Sequence, residues 1–363
     1  MFPKQEDGQP EEVIVNISVI IPVYNGAPTI ADTLDSVIRQ RHPRLEIIVV
    51  DDGSTDDLRG AIARWTQSHQ PVLQKMGIVI QLFHFENAGP SMARNRGIER
   101  SQGKYIAFLD ADDQWSVDKL RAQALVLDQR PEVGLVYSWT DCVDSLGTFV
   151  CPGSYRSSDS QAAVKLLLQN YIDNGSSPMV RRAVLDDVGL FNPDLRCAED
   201  WDLWIRIAEK YPIVAIPSPQ VRYQIARYSS SNDTQRMERS ARQVLECALE
   251  RQYGKSLTPK QRKEVRFLRN RSLANLYLYL YGKIFSGGIQ RRRIPPAMFY
   301  CFQIYRYEGR FRKDTKMVLR AIAKVICLSL LPNRLAQKVL NRLGQANTVH
   351  AEMLSYISSD VEP

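Results

Sequence analysis

Three aspartates, Asp110, Asp112 and Asp113, fall within four residues at the end of the apolar run Tyr105-Ile106-Ala107-Phe108-Leu109, with no Lys or Arg among them. Their mutual repulsion calls for a cation or some other compensation. Asp110 and Asp112 are spaced i, i+2, so on an extended segment both side chains point to one side and can hold a hard divalent cation, directly or through water. Mg²⁺ or Mn²⁺ takes one or two carboxylates and completes its shell with phosphates and water, so the pair reads as a diphosphate-metal clamp. The competing reading is a solvated turn. A second acidic group, Asp51-Asp52-Gly53-Ser54, reads either as a turn with Ser54 capping the next helix or as a site where Asp52 accepts a base N–H. Tyr24 is either an ordinary strand-end aromatic or a platform for a base. Only four His exist, at 42, 69, 84 and 350, and none falls in a candidate site, so proton transfer is left to carboxylates.

The elements that must position these residues follow a regular rhythm. Residues 17–25 (ISVIIPVYN) and 46–51 (EIIVVD) are short β-branched runs of the kind expected for strands covered on both faces. Between them Pro28 suits a first helical turn, and Ile30, Leu34, Val37 and Ile38 form a core-facing stripe. Further strands are expected at 78–85 and 105–109, giving β-α-β-α-β-α-β and a largely parallel sheet. Its strands end in Tyr24-Asn25-Gly26, Asp51-Asp52-Gly53-Ser54, Asn87-Ala88-Gly89 and Asp110-Ala111-Asp112-Asp113. In an open α/β sheet the carboxyl ends of the strands share one edge, where ligands bind. Residues 134–143 form another strand candidate. Glu199-Asp200 opens a helix carrying Trp201, Trp204, Ile205 and Ala208 at helical spacing, its acidic first turn suiting the helix dipole. From about 234 onward the chain reads helical and Arg-rich.

With 363 residues and 44% hydrophobic content, the chain can bury a large core and an accessory region. The polar start MFPKQEDGQPEE reads as a disordered tail over 1–15, with neither a signal peptide nor an anchor. Six scattered Cys, without CxxC spacing, are expected as reduced thiols in the cytoplasm. The net charge of +8 is uneven: residues 291–342 hold 13 Lys or Arg against Glu308 and Asp314, leaving the rest slightly acidic. GxGxxG, P-loop, nucleophile-elbow and metalloprotease motifs are missing.

Taken in order, SVIIPVYNG, VVDDGSTD, NAGPSMARNRGI, YIAFLDADD and EDWDLWIRIA closely resemble the family 2 glycosyltransferases across residues 16–231. That resemblance implies an α/β fold of GT-A type, a Rossmann-like, mostly parallel sheet flanked by helices, followed by a basic helical C-terminal region over 232–363. It implies an inverting transfer of a sugar from a nucleoside-diphosphate donor (UDP, GDP or dTDP) to a hydroxyl of a glycan, lipid-linked saccharide or protein. Carried over by position, Pro22, Val23, Tyr24 and Asp52 resemble the nucleobase pocket. Asn25, Gly89, Arg94, Asp110, Ala111 and Glu199 resemble the remainder of the nucleotide-sugar site. Asp112 is similar to the metal ligand for Mg²⁺ or Mn²⁺, and Asp200 to the catalytic base. Sugar selectivity is expected from the stretch 139–180, including Trp139, Asp141 and Asn174.

One departure stands out. Many members of the resembled family place a His shortly after the base, in a Tyr-Arg-x-His pattern, where this chain reads Val221-Arg222-Tyr223-Gln224, and an amide is a poor metal ligand. The Q-x-x-R-W signature and long membrane spans of processive synthases are missing too, implying one sugar per cycle. Two alternatives are a nucleotidyltransferase, disfavoured because PVYNGAPT lacks a basic loop, and a diverged glycan-binding protein. The apolar run 321–331 is too short to span a bilayer, so the basic region is expected either as a peripheral membrane contact or as a packed subdomain. No nucleic-acid motif accompanies its charge.

Overall fold

The alternation of both-face-buried strands and one-face-buried helices is realised in a computed structural model, which describes residues 16–40, 42, 44–157, 161–225, 233–286 and 294–307. The first half runs β1 (Ile17–Val23), α1 (Ile30–Ile38), β2 (Leu45–Asp51), α2 (Leu58–Met76), β3 (Val79–His84), α3 (Pro90–Arg100), β4 (Tyr105–Phe108), β5 (Gln114–Trp115) and α4 (Lys119–Gln129). Then come β6 (Leu135–Val143), β7 (Phe149–Pro152), α5 (Ala162–Leu168), β8 (Met179–Arg181), α6 (Arg182–Val188), α7 (Glu199–Lys210) and β9 (Ile213–Gln224). Three helices follow: α8 (Thr234–Tyr253), α9 (Pro259–Ser286) and α10 (Ile294–Tyr307).

One sheet carries the order β3-β2-β1-β4-β8-β6-β9-β5, with β7 beside β6. β3, β2, β1 and β4 pair in parallel, as the sequence rhythm implies. Beyond β4 the sheet is mixed: β8 runs antiparallel to β4 and to β6, whereas β6 and β9 are parallel. Period-two alternation explains the continuous apolar runs. On β1, Ile17, Val19, Ile21 and Val23 face the cluster packed under α1, α2 and α4, while Ile20 faces the opposite layer. On β4, Tyr105 and Ala107 go one way, Ile106 and Phe108 the other.

The helices after residue 232 share that opposite layer. Ala241, Val244, Leu245 and Ala248 of α8 and Leu273, Tyr277 and Leu280 of α9 join Leu166, Trp201, Trp204 and Ile205 in one buried cluster. Ion pairs reinforce the seam, Arg251 reaching Glu209 at 3.1 Å and Asp202 at 3.5 Å. Within the basic segment 291–342, Ala297, Tyr300, Cys301 and Ile304 of α10 join the same buried cluster. The run 321–331 lies outside the described residues. Among the described residues no helix is long and apolar enough to cross a membrane.

Candidate active site

The parallel strands bring their carboxyl ends to one edge, and side chains stitch those ends together. Pro22 and Val23 close β1, half-buried and buried, and Tyr24 beyond them is 55% exposed. Asn25 has a left-handed backbone (φ 55°); its N–H donates to Ser54 Oγ at 2.9 Å, and its Oδ1 accepts from the Thr55 N–H at 2.8 Å. Ser54 is therefore turned toward β1 and does not cap α2, which starts four residues later, after Asp57. Pro28 likewise precedes the first turn of α1.

Asp52, just past β2, is buried. Its carboxylate accepts the N–H groups of Ala88 at 2.9 Å and Gly89 at 2.7 Å and pairs with Arg96 at 3.3 Å. Three of the roughly four acceptor positions of a carboxylate are thus occupied, leaving one for an incoming N–H. Gly89 holds φ 91°, and a Cβ there would run into Arg196, whose Nη1 donates to Ala88 O at 2.9 Å. Neither Arg196 nor His84 was marked by the sequence motifs. His84 meets Asp51 at 2.7 Å; burial pushes the Asp51 carboxyl up, but the His84 and Ser54 hydrogen bonds prevail and hold it below its ordinary value.

Arg94, on the buried side of α3, is the hub of the acidic residues. Its Nη1 donates to Glu199 Oε1 at 2.7 Å and its Nη2 to Asp110 Oδ1 at 2.6 Å, and the guanidinium lies 5.4 Å from the Phe191 ring centroid. Burial opposes its charge, yet Asp110 and Glu199 outweigh burial and raise its pKa. The compensation that the aspartate cluster demands is therefore partly internal.

The three clustered aspartates have different tasks. Asp113 is fully buried, accepts from Ser176 Oγ at 2.5 Å and from the Gln224 N–H at 3.0 Å, and is pushed well up by burial and by Asp112 and Asp110. It ties the turn to the end of β9. Ala111 O accepts from Thr33 Oγ1 at 2.9 Å, pinning the same turn to α1. Asp112 is half-buried and pushed up to about 6 by burial and the Asp110 charge.

Among the described residues no group of three or more His, Cys, Asp or Glu forms a metal cage. Asp110 and Asp112 offer two carboxylates, one oxygen of Asp110 already serving Arg94. Such a sparse set fits an ion that keeps several waters and phosphate oxygens, as Mg²⁺ does.

Asp200 is the second residue of α7, reached through Ala198 in a left-handed conformation (φ 57°). Its Oδ1 accepts from the Trp201 N–H at 2.7 Å. Burial first and the Glu199 charge second push this carboxyl up to about 7, with Arg94 pulling the other way. A carboxylate held there is matched to accepting a proton near neutrality.

Arg94, Asp110, Glu199 and Asp200 line one chamber of about 240 Å³. Its far wall comes from the C-terminal helices, through Met237 and Ala241 of α8 and Ser272, Asn275, Leu276 and Tyr279 of α9. That wall was not anticipated from sequence. The signal for it is the i, i+3, i+4, i+7 spacing of Ser272, Asn275, Leu276 and Tyr279, a one-face stripe without charge inside an Arg-rich helix. Tyr24, Asp52 and Asp112 do not line the chamber; of the three residues named for selectivity only Asn174 does, but Ser154, Leu168, Gln169, Asn170, Asp173 and Gly175 of the same stretch 139–180 line it too. Trp139 instead stacks on Tyr155, at 4.8 Å between centroids, and Asp141 accepts from the Tyr155 hydroxyl.

The family model for glycosyl transferase family 2 matches residues 18–189. A Bacillus subtilis (strain 168) protein named as a teichuronic acid biosynthesis glycosyltransferase, TuaG, is 33% identical over 201 residues, 53% of this chain and 72% of that protein. The chain belongs to glycosyl transferase family 2. An uncharacterized glycosyltransferase of Rickettsia bellii (strain RML369-C) is 32% identical over 201 residues, but the match spans 53% of this chain and only 26% of that protein. Among solved structures, S. aureus TarS 1-349 in complex with UDP-GlcNAc superimposes with a TM-score of 0.56 at 17% identity, covering 91% of this chain and 92% of that one. The Pyrobaculum calidifontis mannosyltransferase PcManGT, in complex with GDP-Man and Mn²⁺, gives 0.53 at 20% identity, covering 97% and 89%. These likenesses show the GT-A fold.

Proposed function

We propose that this family 2 member transfers one sugar per cycle from a nucleoside-diphosphate donor to an acceptor hydroxyl, with inversion at the anomeric carbon. The observation that carries the reading is a carboxyl held near 7, Asp200, in the same chamber as the Arg94–Asp110–Glu199 centre. In this reading residues 16–231 are the catalytic domain and 232–363 an accessory helical region. Pro22, Val23, Tyr24 and Asn25 border the base, which stacks on the exposed Tyr24 ring, and the last acceptor position of Asp52 takes a ring N–H. Gly89, Arg94, Asp110 and Ala111 border the ribose and diphosphate, and Glu199 holds Arg94 in place.

Asp200 removes the proton from the acceptor hydroxyl as its oxygen bonds to the anomeric carbon. The bond from that carbon to the diphosphate oxygen breaks on the opposite face, and the nucleoside diphosphate leaves with the electron pair. A divalent ion held by Asp112 would act as a Lewis acid on the diphosphate charge. The partners reported with structures of the same fold, UDP-GlcNAc for TarS and GDP-Man with Mn²⁺ for PcManGT, motivate testing UDP- and GDP-sugars first.

Cytoplasmic placement, with peripheral contact to a membrane carrying a lipid-linked acceptor, is the matching cellular reading. The membrane contact is supported by α10, which exposes Met298, Phe299 and Phe302 beside Arg306, at the start of the segment of +11 charge. The test of function is to incubate the purified chain with UDP-, GDP- and dTDP-sugars and metal, and to identify the released product. Nucleoside diphosphate supports sugar transfer; pyrophosphate as the only product points to nucleotidyl transfer and overturns it.

A further inference from the structure

Four residues that line the chamber carry buried polar atoms that the fold leaves unsatisfied. Asn275, 5% exposed on α9, donates its Nδ2 to Leu168 O at 2.9 Å, but its Oδ1 has no partner among the described residues. Asn174, 6% exposed, donates to Thr140 Oγ1 at 2.9 Å and likewise leaves its Oδ1 unpaired. Gln169 Oε1 and Arg94 Nε are unpaired as well, and all four residues line the chamber. A buried polar atom without a partner is costly, and several around one cavity indicate groups meant for a ligand.

Their chemistry is specific. Three are amide oxygens, which accept hydrogen bonds and carry no net charge, on a wall that also includes Leu276 and Tyr279. That combination suits hydroxyl donors on a ring with apolar C–H faces. At about 240 Å³ the chamber falls below the roughly 300–1,000 Å³ of pockets for drug-sized ligands, so it suits a single monosaccharide. Arg94 and Asp110 line it, whereas the base-proximal residues Tyr24 and Asp52 do not.

We infer that Asn275, with Asn174 and Gln169, reads the hydroxyls of the sugar ring held at Asp200, so that the C-terminal helix α9 helps set sugar selectivity. The inference rests on the proposed sugar transfer and deepens it. The ring of the donor and the terminal ring of the acceptor share this chemistry, and two arms of one experiment separate them.

In the first arm, wild type, Asn275→Ala and Asn174→Ala are titrated calorimetrically with UDP, GDP and their common sugar conjugates. If wild type binds no nucleotide or nucleotide sugar, the proposed function fails before the variants are compared. With a donor ring in the chamber, each variant keeps its nucleotide affinity within about twofold and loses about tenfold for the nucleotide sugar, the scale of one neutral hydrogen bond with its orphaned partner. In the second arm, release of nucleoside diphosphate is followed with a panel of methyl glycosides as surrogate acceptors. With an acceptor ring in the chamber, donor affinity is unchanged and the order of preferred glycosides shifts. Retained nucleotide affinity certifies the fold of each variant, and the two positions lie on separate elements. Unchanged sugar affinity and unchanged glycoside preference in both variants would overturn the assignment.

Discussion

Replacing Arg94 by Met tests the charge balance on which the acidic centre depends. The side chain is 5% exposed and pairs with Glu199, 10% exposed, and with Asp110, 29% exposed. Met keeps much of the aliphatic volume beside Phe191 but leaves the Glu199 carboxylate buried and uncompensated. Breaking a buried pair from one side costs about 3–5 kcal/mol, most of it here from Glu199, because Asp110 is better solvated. Against a total stability of roughly 5–15 kcal/mol, that shift is easily read from urea unfolding midpoints. Adding Glu199→Gln to Arg94→Met removes the orphaned charge, so the double variant is expected to recover about 1–3 kcal/mol relative to Arg94→Met alone. An Arg94→Met protein within about 0.5 kcal/mol of wild type would refute the reasoning. So would a Glu199→Gln change that costs as much in the Arg94→Met background as in wild type.

With Asp200 pushed up to about 7, kcat/KM should fall about tenfold between pH 8 and pH 6, and a flat profile over that range would contradict its role as the base. The same raised value means that the carboxyl favours the folded state fully only below its unfolded pKa, and that this contribution is lost as pH rises through about 7. Asp200→Asn is accordingly expected to unfold at a higher temperature than wild type at pH 8, an advantage that disappears by pH 4. Gly89→Ala, forced to φ 91° with its Cβ against Arg196, should lose about 1–3 kcal/mol in denaturant and weaken nucleotide binding, since the same N–H holds Asp52. Cosedimentation of the full chain with anionic vesicles should be strong at low salt and fall at high salt, screening acting over about 8 Å at physiological ionic strength. Indifference to anionic vesicles at low salt removes the membrane reading.

Sequence patterns carried the parallel half of the fold because burial on both faces leaves a plain signature. The β-branched runs of β1 and β2 and the residues closing them could be placed by alternation and turn chemistry alone. The helix opened by Glu199-Asp200 was legible for the same reason, its Trp201, Trp204 and Ile205 marking one face. What could not be read was partnership across long separations. Ser54 looked like a helix cap because local rules see only the residues that follow it, whereas its hydroxyl answers to Asn25, 29 positions earlier. The three aspartates looked alike in the sequence, yet Asp113 is a structural tie to Gln224, and Asp110 is already half-compensated by Arg94. The far wall of the chamber was hidden most deeply, because Asn275 acts only once α9 packs beside Leu168, a contact spanning 107 residues.

The most direct test is a paired measurement on wild type and Asp200→Asn: calorimetric affinity for the preferred nucleotide sugar, and the rate of nucleoside diphosphate release in the presence of acceptor. Loss of a general base predicts a rate lower by about 10²–10⁴-fold, with donor affinity preserved within a few-fold. Equal rates in the two proteins, or a loss of donor binding that accounts for the whole loss of rate, would contradict the assignment of Asp200 as the group that takes the acceptor's proton.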